Sequence, residues 1–128
     1  MMKKCTVLFG SLLMVLLLVA CGNKVDEETA SKYVEKAEEI VLLLNDEKYD
    51  EIYEQFDEKM KAQLTADQLA EIEPVLESSG DYVSIEKQSV EEKDGLHVVV
   101  IVGKHSEENR IYTVTYDGDD QIVGLFVQ

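Results

Sequence analysis

The feature that most constrains this chain is a change of hydrophobic period between Gly80 and Asp81. Before it, apolar residues recur at three- and four-residue steps. Ala30, Tyr33, Val34, Ala37, Ile40, Val41 and Leu44 form one stripe, with Lys32, Glu35, Lys36, Glu38 and Glu39 opposite. That is an amphipathic helix with one face to bury. After the change, apolar and polar residues alternate, as half-buried strands require. Helices first, then strands joined by tight turns, give an α+β fold: N-terminal helices packed on a four-stranded antiparallel meander sheet.

Local signals divide the two halves. Asn45-Asp46 interrupts the first stripe, and Asp46 is placed to cap a second helix presenting Tyr49, Ile52, Tyr53 and Phe56. Asp57 is placed to cap a third, carrying Met60 and Leu64. Thr65 and Gln68 have capping-box spacing before a run with Leu69, Ile72, Val75 and Leu76. Pro74 lies inside that run, lacks an amide N–H, and should kink or split it. Ser78-Ser79-Gly80 closes the helical half. Residues 82–91, 96–104, 110–116 and 121–127 read as strands, with Asp94-Gly95 as a two-residue hairpin signal. The unbroken β-branched run 98–102 predicts a central strand buried on both faces.

Upstream, Lys3 and Lys4 precede the uncharged, Leu- and Val-rich stretch 5–20, the layout of an export signal. The run is a little short for a relaxed membrane span, which takes roughly 20 residues. Leu18-Val19-Ala20-Cys21-Gly22 resembles the lipobox of bacterial lipoprotein precursors. That resemblance implies cleavage between Ala20 and Cys21, S-diacylglycerol on the Cys21 sulfur, and an acyl chain such as palmitate on the new amino group. It implies a protein held by lipid on the extracytoplasmic face of the cell membrane. Two or three acyl chains, at about 0.8 kcal/mol per buried methylene, make such an anchor permanent where one is marginal. The expected organisation is a signal peptide over 1–20, a lipidated N-terminus and short solvated tether over 21–28, and one α+β domain over 29–128.

With Cys5 in the export segment and Cys21 acylated, no thiol remains for a disulfide or a thiolate metal site. The formal charge is −15, and loss of residues 1–20, which carry two lysines and no acid, makes it −17. Such a surface repels phosphates, so nucleic acid is not an expected partner. It also repels anionic headgroups, so membrane contact has to come through the lipid. Solubility is the plain account of the charge. A hydrophobic content of 45%, periodically arranged, argues for a folded core and against disorder.

Residues with chemical potential are few. Asp117, Asp119 and Asp120 cluster around Gly118 and are weak candidates for a calcium site. The spacing does not match an EF-hand loop, and Asp and Gly are what a hairpin turn takes, so no metal is expected. His97 and His105 share one strand, roughly 26 Å apart, too far to share an ion. His97 reads as a satisfied strand residue and His105 as solvated. No nucleophile elbow or glycine-rich phosphate loop occurs. Tyr33, Tyr49, Tyr53, Tyr82, Tyr112 and Tyr116 read as core edges whose hydroxyls reach water.

The stretch 43–50, followed by Phe56-Asp57, Met60-Lys61 and Leu64-Thr65, and later Gly80-Asp81-Tyr82, 112–117 and 122–125, resembles a bacterial family, domain of unknown function 3887. The resemblance covers about residue 30 to the end. It implies the cystatin-like, nuclear-transport-factor-like superfamily, in which a curved sheet wraps helices around a pocket. Some relatives of that fold move protons with tyrosine and carboxylate. No catalytic residue or cofactor is handed over. The expected function is therefore a lipid-anchored extracytoplasmic binding or interaction module, not an enzyme, for an unidentified protein or small ligand. A homodimer through the sheet face is one form of it. The alternative is a small-molecule enzyme with a tyrosine/carboxylate pocket.

Overall fold

A computed structural model describes residues 23–128, so the expectations for 1–20, the Ala20–Cys21 cleavage and Cys21 acylation lie outside the described residues. The chain opens with a two-residue strand β1 (Asn23–Lys24). Helix α1 (Glu27–Asn45) follows, started by Asp26, whose carboxylate accepts from the Thr29 amide at 2.9 Å. Glu27 and Glu28 place negative charge at the positive end of the helix dipole. The expected stripe is the buried one: Tyr33, Val34, Ala37, Ile40, Val41 and Leu44. The tether expected over 21–28 is thus already structured from Asn23: β1 pairs with a strand, Val25 packs on the core and Asp26 caps α1.

Asp46 does not cap the next helix. It ends α1, and Glu47 takes a left-handed conformation, φ 61°. The Lys48 amide then reaches the Leu43 carbonyl at 2.9 Å and the Glu47 amide the Leu44 carbonyl at 3.2 Å. This is a Schellman closure with glutamate where glycine is usual. Helix α2 (Tyr49–Tyr53) begins after Lys48 without a side-chain cap. Helix α3 (Glu58–Gln63) is capped by Asp57, which accepts from the Met60 amide at 2.8 Å. Helix α4 (Ala66–Leu69) carries the expected Thr65–Gln68 capping box. A 3₁₀ turn over Ala70–Ile72 separates it from α5 (Glu73–Ser79), with Pro74 in the first turn of α5, where its missing N–H costs nothing. The split expected at Pro74 is this break.

The sheet contains β2 (Tyr82–Lys93), β3 (Leu96–His105), β4 (Arg110–Tyr116) and β5 (Ile122–Val127), antiparallel throughout, in the order β1-β2-β3-β4-β5. The fold is α+β, a four-stranded meander with β1 added at one edge. Asp94 and Gly95 both have positive φ, 54° and 82°, which matches their turn to the strand twist. At the other edge, the Gln55–Asp57 turn holds β5 through Asp57 N–H to Ile122 O (3.0 Å) and Ile122 N–H to Gln55 O (2.9 Å).

The β-branched run on β3 is central but not buried on both faces. Val99 and Ile101 are buried under the helices, whereas Val98, Val100 and Val102 are half-exposed. Only one face has a covering layer. The outer face continues through Thr113, Ile111 (38% exposed) and Phe126 (70%). Among the described residues, no helix is long and apolar enough to cross a membrane.

Candidate functional site

The C-terminal end of α1, the turn into α2, helix α5 and the start of β2 enclose a cavity of about 380 Å³. Three of these contribute acid: Asp46 and Glu47 from the turn, Glu73 and Glu77 from α5, and Asp81 from the entry to β2. No Lys or Arg lines it among the described residues. Tyr49 and Tyr82 supply aromatic walls, with Leu42, Leu44 and Leu76 between.

Three local costs meet at this cavity. Glu47 holds a left-handed backbone, at roughly 1–2 kcal/mol for a residue with a Cβ. Glu73 and Glu77 stand four apart on one helix, a like-charge spacing that costs about 0.2–0.5 kcal/mol. The Tyr49 hydroxyl is buried without a hydrogen-bond partner, and burial pushes its pKa up, so it stays protonated. A buried donor with no acceptor costs about 1–3 kcal/mol. Among the described residues, no three His, Cys, Asp or Glu converge closely enough to hold a metal ion. The carboxylates surround a space instead of a point.

Beneath the cavity lies a polar chain. His105 Nδ1 is 2.9 Å from the Gly80 carbonyl, which can only accept, so Nδ1 carries the proton. Nε2 then accepts from the Tyr112 hydroxyl at 2.7 Å, and the Tyr112 oxygen receives Asn45 Nδ2 at 3.2 Å. Asn45 also donates to the Val41 carbonyl at 2.8 Å. Burial pushes the Tyr112 hydroxyl up and keeps it a donor. His105 is therefore buried, 3% exposed, and not solvated as its strand-end position suggested. The β3–β4 turn folds back over it: Ser106 N–H bonds Asp81 O and Glu107 N–H bonds Ser79 O, both at 2.9 Å. Gly103 admits the rings: a Cβ there would lie 2.9 Å from Tyr112 and 3.2 Å from Tyr82. Tyr82 donates to Glu38 at 3.1 Å, and its pKa is raised by burial and by that bond.

A second polar cluster sits at the opposite end of α1. The Tyr33 ring stacks on His97, centroids 4.2 Å apart, and its hydroxyl donates to Asp120, which also pairs with Lys32 at 3.0 Å. His97 Nδ1 and the Tyr116 hydroxyl are buried without partners, so His97 is not the satisfied residue expected. The aspartates considered for calcium do other work: Asp117 accepts the Asp119 and Gln121 amides at 2.9 and 3.0 Å, and Asp120 holds Tyr33. The two histidines lie at opposite ends of β3. A shallower apolar hollow of about 270 Å³ lies beside β5, between Leu64, Leu69, Ile72, Leu125 and Val127.

A family described as "Protein of unknown function (DUF3887)" matches residues 37–125. This chain belongs to the DUF3887 family. The matched region holds the whole cavity and the polar chain beneath it, and leaves out β1 and the start of α1. An NMR structure of a protein from Ruminococcus gnavus ATCC 29149 is similar to this DUF3887 chain, with a TM-score of 0.66 and 25% identity. The match covers 80% of this chain and 90% of that one. No curated protein matches.

Proposed function

We propose that this DUF3887 protein is a lipid-anchored, extracytoplasmic binding module whose cavity takes a small, positively charged organic molecule such as an amine. The observation that carries this reading is a cavity with carboxylates from three elements and no basic residue, built at a local cost in stability. An ammonium group can be met by carboxylates and can pack against an aromatic face of Tyr49 or Tyr82. A ligand neutralising several carboxylates would offset strain that folding alone does not.

The lipobox-like Leu18-Val19-Ala20-Cys21 supports an anchor on the outer face of the cell membrane. The helices laid against one face of an antiparallel sheet suit a cystatin-like cone. The outer face around Val100, Ile111 and Phe126, flanked by Lys87 and Glu91, is the surface for any homodimer. The enzyme reading would centre on Tyr82 and Glu38. There the hydroxyl is already committed to the carboxylate and held protonated, which suits a rigid wall better than an acid catalyst.

The test is calorimetric titration of the lipidated protein in detergent with spermidine, choline and arginine amide. At least one should bind, weaken as ionic strength rises, and lose about three- to tenfold in affinity in Glu73→Gln/Glu77→Gln. Absence of heat with all three, or binding unaffected by the double substitution, would overturn the proposal.

A further inference from the structure

We infer that β1 fixes the domain on the membrane in one orientation, with the acidic cavity at the pole farthest from the bilayer. This rests on lipid attachment at Cys21. Only Gly22 separates Cys21 from β1, and two residues reach at most about 7 Å. β1 is no free tail: Asn23 pairs with Glu92 and Lys24 with Glu91, near the Asp94-Gly95 turn. The anchor point is therefore tied to that end of the sheet.

The cavity lies at the other end. Strand β2 runs from Glu92 back to Tyr82, about 33 Å at the rise of an extended strand. Helix α1 starts at Glu27, three residues after β1, and reaches the cavity at Asn45, about 27 Å away. Two independent elements thus span the same two poles and agree on roughly 30 Å. A leash of about 7 Å keeps the anchored pole at the headgroups, so the cavity meets them only if the whole body is laid flat. The cavity end carries Asp46, Glu47, Glu73, Glu77 and Asp81, which oppose laying that end onto an anionic bilayer. The cavity therefore samples solutes or polymers of the envelope space and not the headgroups of its own membrane.

Outside the signal segment Cys21 is the sole cysteine, so an introduced thiol is unique once Cys21 is acylated. Lys93→Cys and Glu77→Cys variants of the lipidated protein, both at exposed positions, would be labelled with a fluorophore and placed in phosphatidylcholine vesicles containing headgroup-nitroxide lipid. The label at 93 should be quenched at least about threefold more than the label at 77, since only the former lies within short-range reach. A flexible Gly/Ser insert of about twenty residues after Gly22, spanning roughly 25 Å, should erase the difference. Equal quenching without the insert, or stronger quenching at 77, would overturn the orientation while leaving the anchor intact. Failure of both proteins to float with vesicles would overturn the anchor and the orientation with it.

Discussion

Tyr112 and His105 face each other across 2.7 Å in the interior, and the direction of their hydrogen bond is fixed by a third group, the Gly80 carbonyl. The bond joins the β3–β4 ladder to the end of α1 through Asn45 and to the end of α5 through Gly80. Tyr112→Phe keeps the ring and removes the hydroxyl, leaving His105 Nε2 buried without a donor. Urea unfolding should show a loss of about 1–3 kcal/mol with an unchanged m-value.

Glu47→Gly separates stability from binding. Relief of a left-handed Cβ gains about 1–2 kcal/mol, offset by about 0.4–1 kcal/mol of added backbone freedom in the unfolded chain. The variant should be more stable by roughly 0.5–1 kcal/mol yet bind organic cations more weakly. Thermal unfolding and titration of the same sample would show both effects.

Gly80 should tolerate no side chain. Its φ of 84° and ψ of −174° belong to a region open essentially to glycine alone, and a Cβ would lie 2.1 Å from Ser106 Oγ. Gly80→Ala is expected to lose at least about 1–3 kcal/mol. It should also disturb the His105 imidazole signals in NMR spectra, because the Gly80 carbonyl holds that ring.

Two flanks of the stability–pH curve trace to Tyr33 and Asp120. The Tyr33 hydroxyl bond, with Lys32 beside it, holds Asp120 below its ordinary 3.8, so the stability it adds is full above that value and fades as pH falls through the folded pKa. Tyr33, chiefly through burial and then through Asp120, is pushed up from 10.0 to about 12. The unfolded chain gives up that proton first, and stability falls as pH rises across this interval. Tyr33→Phe should flatten both flanks in chemical denaturation followed from pH 3 to pH 12.

Much of this architecture is legible in the sequence because its signals are local. The α1 stripe, the Asp57 cap, the Thr65–Gln68 box, the break at Pro74 and the Asp94-Gly95 turn each need only a few neighbouring residues. What was missed depends on distant groups. β1 is too short to show a period and exists only because β2 offers it an edge. Asp46 looks like a helix start until Glu47 turns left-handed and closes the helix before it. His105 looks solvated until the following turn folds over Gly80. The cavity acids are spread over three elements and read one by one as a soluble surface. The like pair Glu73 and Glu77 at helical spacing was the one available hint.

The meander has a kinetic consequence. Each strand from β3 to β5 pairs with its immediate predecessor across a short turn, and the helices form from neighbouring residues. Pairing between sequence neighbours of this kind speeds the search for the native topology. With no cysteine among the described residues, no disulfide has to close during refolding. The last step in such a scheme is the attachment of β1 across about half the length of the chain, so the strand that precedes every helix would be the last to find its place.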